Sequence, residues 1–223
     1  QVRDDEDIWM AVLTGSGERA FSVGSDLKWR SAQGEGVRDH NRREVLDLTK
    51  EGFQRGRDNW KPLIAAVNGY AVGGGLELVL GCDLVIAADH AKFGLPEVRR
   101  GLMADGAGIH RLMRRLPYNV AMELILTGEF IPALKAIDFG FVNEVVSMEK
   151  LGDTVESWIE RIKKCAPLAL RASKEAAVKG LDMPLIDAVS TIFPDSERLY
   201  QSIDFVEGPK AFAEKREPTW LGK

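Results

Sequence analysis

Five apolar residues in succession, Leu63-Ile64-Ala65-Ala66-Val67, read as a strand, because no polar position interrupts the run. The triplet Gly73-Gly74-Gly75 follows, and Leu76-Glu77-Leu78-Val79-Leu80 reads as the start of a helix. Ile8 to Leu13 predicts another buried strand, closed by Thr14-Gly15-Ser16-Gly17. Val45, Leu48 and Phe53 recur at near-helical intervals after a polar loop. Asp83 to Ala87 and Phe141 to Val146 predict further strands, and Gly140 suits the end of a helix from Pro132 to Phe139. After Val146 the strand signals stop. Helical segments then centre on Ile159, Leu170, Val189 and Phe212, punctuated by Pro167, Pro184, Pro194 and Pro209. The pattern predicts an α/β region followed by a helical appendage, with no internal repeat or low-complexity segment.

Composition narrows the class without naming a function. A chain of 223 residues, 45% hydrophobic, can bury a substantial core. A net charge of −4 disfavours a nucleic-acid surface, although Arg99, Arg100, Arg111, Arg114 and Arg115 form a basic group that reads as a solvated or intersubunit face. No run reaches the ~20 apolar residues that span a bilayer. The acidic start Arg3-Asp4-Asp5-Glu6-Asp7 is unlike a signal peptide, so the expectation is a soluble, cytoplasmic protein. Cys82 and Cys165 are too few for a disulfide framework and read as reduced and buried, Cys82 between a helix and a strand.

The chemistry concentrates in two places. Three glycines remove the Cβ atoms that would keep a substrate oxygen from main-chain N–H groups, and the helix that follows brings the positive end of its dipole there. Such a turn can stabilise a developing enolate. It reads equally well, alone, as a tight strand-to-helix connection. Twenty positions after Glu77 comes Glu97, in Gly94-Leu95-Pro96-Glu97, and two carboxylates beside an anion-binding turn suggest acid–base work. By contrast, His40, His90 and His110 lack a zinc-ligand spacing, and neither a Gly-x-Ser-x-Gly elbow nor a Walker loop occurs.

The run Ala65-Ala66-Val67-Asn68-Gly69-Tyr70-Ala71-Val72-Gly73-Gly74-Gly75-Leu76-Glu77, with Gly94-Leu95-Pro96-Glu97-Val98, resembles the crotonase, or enoyl-CoA hydratase/isomerase, superfamily. Ala20-Phe21-Ser22-Val23-Gly24-Ser25-Asp26-Leu27-Lys28, Leu126-Thr127-Gly128-Glu129 and Ala211-Phe212-Ala213-Glu214-Lys215-Arg216 are similar to further signatures, so the resemblance covers almost the whole chain. It implies a spiral of ββα units over 1–146 and, over 147–223, helices that build a trimer or a dimer of trimers. The family's opening strands and helix are absent ahead of Ile8, which predicts an uncovered sheet edge there and weakened CoA affinity. Intracellular acyl-CoA thioesters are the implied substrates, with CoA carried as part of the substrate and no separate cofactor or metal.

The resemblance also assigns roles. Ser25 and Gly74 would supply main-chain N–H groups to the thioester oxygen, and Ser25, Asp26, Leu27 and Lys28 would line the CoA path. Asp26 reads more simply as the cap of a short helix, and Lys28 as a phosphate contact or solvated surface. Glu77 and Glu97 would be the proton-transfer pair of a hydratase: one carboxylate activates water for attack at Cβ, and the other delivers a proton at Cα. Asp105 carries three readings. It caps the helix through Ile109-His110-Arg111-Leu112, or it serves as a third proton carrier as in dienoyl-CoA isomerases, or it attracts a cationic acyl group. The last accords with a resemblance of Glu207-Gly208-Pro209 to Trp220 to the carnitinyl-CoA dehydratase branch, which hydrates crotonobetainyl-CoA. A crotonase-fold scaffold or RNA-binding protein is the non-enzymatic alternative.

Overall fold

The computed structural model of the chain describes residues 2–32 and 59–223. The spacing of Val45, Leu48 and Phe53, together with His40, lies outside them. The chain divides into two compact units, one of Val12–Gly56 and Leu63–Val155, the other of Gln1–Ala11, Arg57–Pro62 and Glu156–Lys223.

The first unit is organised by pairs of strands that split between two sheets. Strands β1 (Ala11–Thr14), β3 (Leu63–Val67), β5 (Leu84–Ala88) and β8 (Glu144–Val146) form one sheet in that order. Strands β2 (Ala20–Ser22), β4 (Tyr70–Val72), β6 (Lys92–Gly94) and β7 (Phe130–Pro132) form the other. Each successive pair, β1/β2, β3/β4 and β5/β6, therefore sends one strand to each sheet, which is the step of a spiral. Helix α2 (Gly74–Gly81) completes the second step. The fold is the crotonase-like α/β arrangement expected from the sequence.

Register decides where the chemistry falls. Tyr70, Ala71 and Val72 pair in parallel with Lys92, Phe93 and Gly94, and Ala20 and Ser22 pair in parallel with Tyr70 and Ala71. Parallel strands end together, so the segments after Ser22, Val72 and Gly94 emerge side by side. The main chain continues the alignment, with Gly73 N–H donating to Gly94 O at 2.9 Å.

The buried run Leu63–Val67 is a strand as predicted, and Ile64 to Val67 pair with Leu84 to Ala87. Leu76, Val79 and Leu80 of α2 pack in one core with Phe93, Leu95, Leu112 and Leu124. Each large apolar side chain sealed there contributes roughly 1.5–3 kcal/mol. Buried Asn68 stitches the β3–β4 connection to the loop after β1: its amide accepts from Gly15 N–H at 3.0 Å and donates to Gly15 O at 2.8 Å.

Several boundaries differ from the sequence expectation. The strand predicted over Ile8 to Leu13 runs over Ala11–Thr14, because the main chain before it turns back, with Ile8 N–H donating to Asp5 O at 3.2 Å. It stands at the end of its sheet among the described residues. Phe141 and Val142 are core residues but precede the strand, which begins at Glu144. Asn143 spends both its main-chain N–H and its side-chain oxygen on Val85, at 2.8 Å each. Cys82 is buried between helix and strand, whereas Cys165 is exposed, contrary to expectation.

Beyond Met148 the described secondary structure is helical: α6 (Leu151–Lys163), α7 (Pro167–Gly180), α8 (Leu185–Ser190), α9 (Pro194–Tyr200) and α10 (Ile203–Glu214). Pro167 and Pro194 open helices, where a missing N–H costs nothing, but Pro209 lies inside α10 rather than at its edge. The Glu207-to-Trp220 segment proves to be a structural lock. Arg216 forks onto Glu207 at 2.6 and 2.9 Å, Thr219 N–H donates to the same carboxylate at 2.8 Å, and the Trp220 ring packs over Gly208. These donors hold the Glu207 carboxyl down at about 2.

Candidate active site

Three loops meet at the ends of β2, β4 and β6. The first carries Gly24 and Ser25, the second Gly73 and Gly74, and the third the 3-10 turn Pro96–Arg100 with Glu97. Gly24 adopts φ +78°, and a Cβ there would stand 2.9 Å from Gly74 N. The peptide joining Gly24 to Ser25 is thus brought beside the first N–H of α2, which has no intrahelical partner. Glycine is required on the other side as well, since a Cβ on Gly75 would overlap the Ser22 carbonyl oxygen. Gly24, the residue before Ser25, and Gly74 therefore stand in close approach.

Glu77 sits in the first turn of α2 and is buried, at 5% exposure. Its Oε1 accepts the main-chain N–H of Gly108 at 2.8 Å, the first residue of helix α3 (Gly108–Arg115). Burial pushes the Glu77 carboxyl above its ordinary value, opposed by the Gly108 hydrogen bond and reinforced by the charge of Asp105. Glu97 reaches the same turn from the other side, where a Cβ on Gly73 would stand 2.9 Å from its Oε1. Its carboxyl is also raised, first by burial and then by the charges of Glu77 and Asp105. Glu97 Oε2 is buried and has no hydrogen-bond partner among the described residues. Carboxyls lifted in this way can hold or release a proton closer to neutrality.

The remaining expected residues divide. Asp26 accepts from Lys28 N–H at 2.8 Å and so caps helix α1 (Leu27–Ala32), as its simpler reading had it. Leu27 and Lys28 are exposed beside it. Asp105 is exposed and stands two residues ahead of Ala107, the residue that precedes helix α3. Helix α3 is preceded by Ala107 at φ +81° with no side-chain cap, and Gly108 N–H is taken by Glu77. The basic group also separates: Arg111 and Arg115 donate to main-chain oxygens of Glu77 and Cys82 at 3.4 and 2.8 Å, whereas Arg99 faces Thr127 and Glu129. Among the described residues no group of His, Cys, Asp and Glu is arranged to hold a metal.

Sequence reasoning passed over Gly24 and Gly108. A Cβ on Gly108 would lie 2.8 Å from Glu77 Cγ, so the glycine is what lets the carboxylate in. The run Asp105-Gly106-Ala107-Gly108 was the available signal, a glycine-rich entry to a helix.

Two carboxyls raised by burial, Glu77 and Glu97, thus lie beside the glycine turn that Gly24 approaches. The sequence model of the enoyl-CoA hydratase/isomerase family matches residues 1–223. An (E)-benzylidenesuccinyl-CoA hydratase of Thauera aromatica is 43% identical over 222 residues, covering 100% of this chain and 85% of that protein. A carnitinyl-CoA dehydratase of Citrobacter koseri is 41% identical over 228 residues, covering 99% and 84%. The crystal structure of an enoyl-CoA hydratase from Bacillus anthracis superposes with a TM-score of 0.91 at 34% identity, covering 100% of this chain and 85% of that one. The chain belongs to the enoyl-CoA hydratase/isomerase family.

Proposed function

We propose that the protein is a hydro-lyase that adds water reversibly across the 2,3 double bond of an enoyl-CoA thioester. The observation that carries this reading is the convergence of Glu77 and Glu97 on the Gly73-Gly74 turn, next to Gly24 and Ser25. Attack of water at Cβ puts negative charge on the thioester oxygen, and the N–H groups of Ser25 and Gly74 are suited to receive it. The pair Glu77 and Glu97 then divides the proton work: the ionised member takes a proton from water, and the protonated member delivers one to Cα. Burial and mutual charge keep one proton available to the pair. The reaction calls on no metal, flavin or nicotinamide, because the thioester supplies the electron sink.

Asp105 supports a second reading. Its charge acts on both glutamates, so three carboxylates share one field. That arrangement suits proton relay along a dienoyl chain, and it equally suits a cationic acyl group such as that of crotonobetainyl-CoA. Comparing turnover of crotonyl-CoA, crotonobetainyl-CoA and a 3,5-dienoyl-CoA separates these substrates. Loss of the conjugated thioester absorbance, abolished by Glu77→Gln and by Glu97→Gln, supports hydration; unimpaired turnover by either variant contradicts it.

The helical region 147–223 is assigned to assembly into a trimer or a dimer of trimers. Supporting this, Leu181, Leu185, Ile186, Val189 and Phe212 are 74–87% exposed, more apolar surface than isolated protein surfaces usually leave uncovered. No helix among the described residues is long and apolar enough to cross a membrane. A cytoplasmic setting accords with an intracellular thioester substrate.

A further inference from the structure

The Glu97 carboxylate is not held through both of its oxygens, since Oε2 is buried without a partner among the described residues. Its position depends on the turn Pro96–Arg100 that carries it. That turn is itself anchored, through Arg99, to the C-terminal end of helix α4 (Tyr118–Thr127).

Arg99 Nε donates to Thr127 O at 2.5 Å, and its Nη2 lies 3.3 Å from Glu129 Oε1. The last carbonyls of a helix lack intrahelical donors and carry the negative end of the dipole, so a guanidinium there is doubly favoured. Glu129 is fixed in turn, its N–H donating to Thr127 Oγ1 at 3.1 Å. Gly128, at φ +61°, lets the two segments close: a Cβ there would stand 3.1 Å from both Pro96 Cα and Arg99 Cγ. One residue beyond Glu129, the Phe130 ring fills the space where a Cβ on Gly94 would sit, pressing on the strand end that leads into Pro96. The segment Thr127-Gly128-Glu129-Phe130 thus braces the turn from one side, while Gly73 meets Glu97 on the other.

We propose that Arg99, clamped by Thr127 and Glu129, is a positioning residue that sets the Glu97 carboxylate for proton transfer. The inference rests on the reading of Glu97 as a proton-transfer group. An exposed ion pair alone stabilises little, so the contribution lies in geometry rather than stability. Placement errors of about 1 Å at a reacting group can cost on the order of 10²-fold in rate.

The test is a cycle of Arg99→Ala, Glu97→Gln and the double variant, with Arg99→Lys and Glu129→Gln alongside, each assayed for kcat and KM with crotonyl-CoA and for Tm. Arg99→Ala is expected to lower kcat by about 10- to 100-fold with KM changed less than about threefold, and Arg99→Lys to recover part of the loss. In the Glu97→Gln background Arg99→Ala should cost little more, because the group it positions is gone. Unchanged kcat in Arg99→Ala, or an equal loss in both backgrounds, overturns the brace while leaving the role of Glu97 intact. Full turnover by Glu97→Gln alone overturns both.

Discussion

Glu77 Oε1 accepts the main-chain N–H of Gly108 at 2.8 Å, so a carboxylate from one helix caps the first residue of another thirty-one positions later. The contact ties the acidity of Glu77 to the start of α3. It also leaves no room at Gly108. A methyl group there would stand 2.9 Å from Glu77 Oε1, and the buried side chain would have to move. Gly108→Ala is expected to lower kcat on the order of 10²-fold, with a smaller effect on KM and retention of the circular dichroism spectrum. Wild-type kcat would show that Glu77 does not need this placement.

The turn proposed to receive the oxyanion makes a parallel prediction. Gly24→Ala puts a Cβ 2.9 Å from Gly74 N in a left-handed backbone conformation. Turnover should fall on the order of 10²–10³-fold, the effect of losing one oxyanion donor. The strained backbone adds roughly 1–2 kcal/mol of destabilisation. Steady-state kinetics and thermal unfolding read the two effects separately.

What was readable in the sequence followed from local order. The glycine triplet before Leu76 and the Leu-Pro-Glu run could be placed because each is contiguous. Gly24 could not be paired with Gly74, because that approach depends on the register of β2 against β4, and strands of three residues carry no periodicity. Asp105 precedes helix α3 in the sequence, yet the first N–H of that helix, on Gly108, goes to Glu77, thirty-one positions earlier. Local rules give way where a buried group from elsewhere satisfies the same N–H more closely.

The raised carboxyl of Glu77 couples activity to stability. Its folded-state value lies above the ordinary 4.5, so the folded protein binds the proton more tightly than the unfolded chain does. The stabilising contribution of this group is complete below pH 4.5 and is lost as pH rises through the elevated value. Glu77→Gln, which keeps an acceptor for Gly108, should therefore raise Tm at pH 8 by about 2–4 °C for each kcal/mol removed. The advantage should fade as pH falls to 4.5. Melting curves across that range test it, and a variant less stable at pH 8 than at pH 4.5 relative to wild type would contradict the sign.

The same shifts predict the pH profile. Both carboxyls lie above 4.5, so the acidic limb of kcat/KM for crotonyl-CoA should have its midpoint above that value. The limb belongs to the pair rather than to either residue. Removing the charge of Asp105 with Asp105→Asn should move it down, since that charge raises both. A limb left in place would remove Asp105 from the electrostatics of the site.

Asn68 offers a test of the scaffold alone. Its side chain joins the Gly15-to-Gly17 loop to the β3–β4 connection from a position only 2% exposed. Asn68→Ala should destabilise the protein by about 1–3 kcal/mol by leaving Gly15 groups unpaired, measured by urea unfolding. A change below 0.5 kcal/mol, the size of an ordinary surface substitution, would deny it that role.

The central claim is that Glu77 and Glu97 together add water to an enoyl-CoA. Incubating the protein with crotonyl-CoA in heavy-oxygen water, and following the mass of the acyl product, tests it most directly. The account predicts incorporation of one labelled oxygen by the wild type and none above background by the Glu77→Gln/Glu97→Gln double variant. Label entering equally with both proteins, or product forming without label, would contradict it.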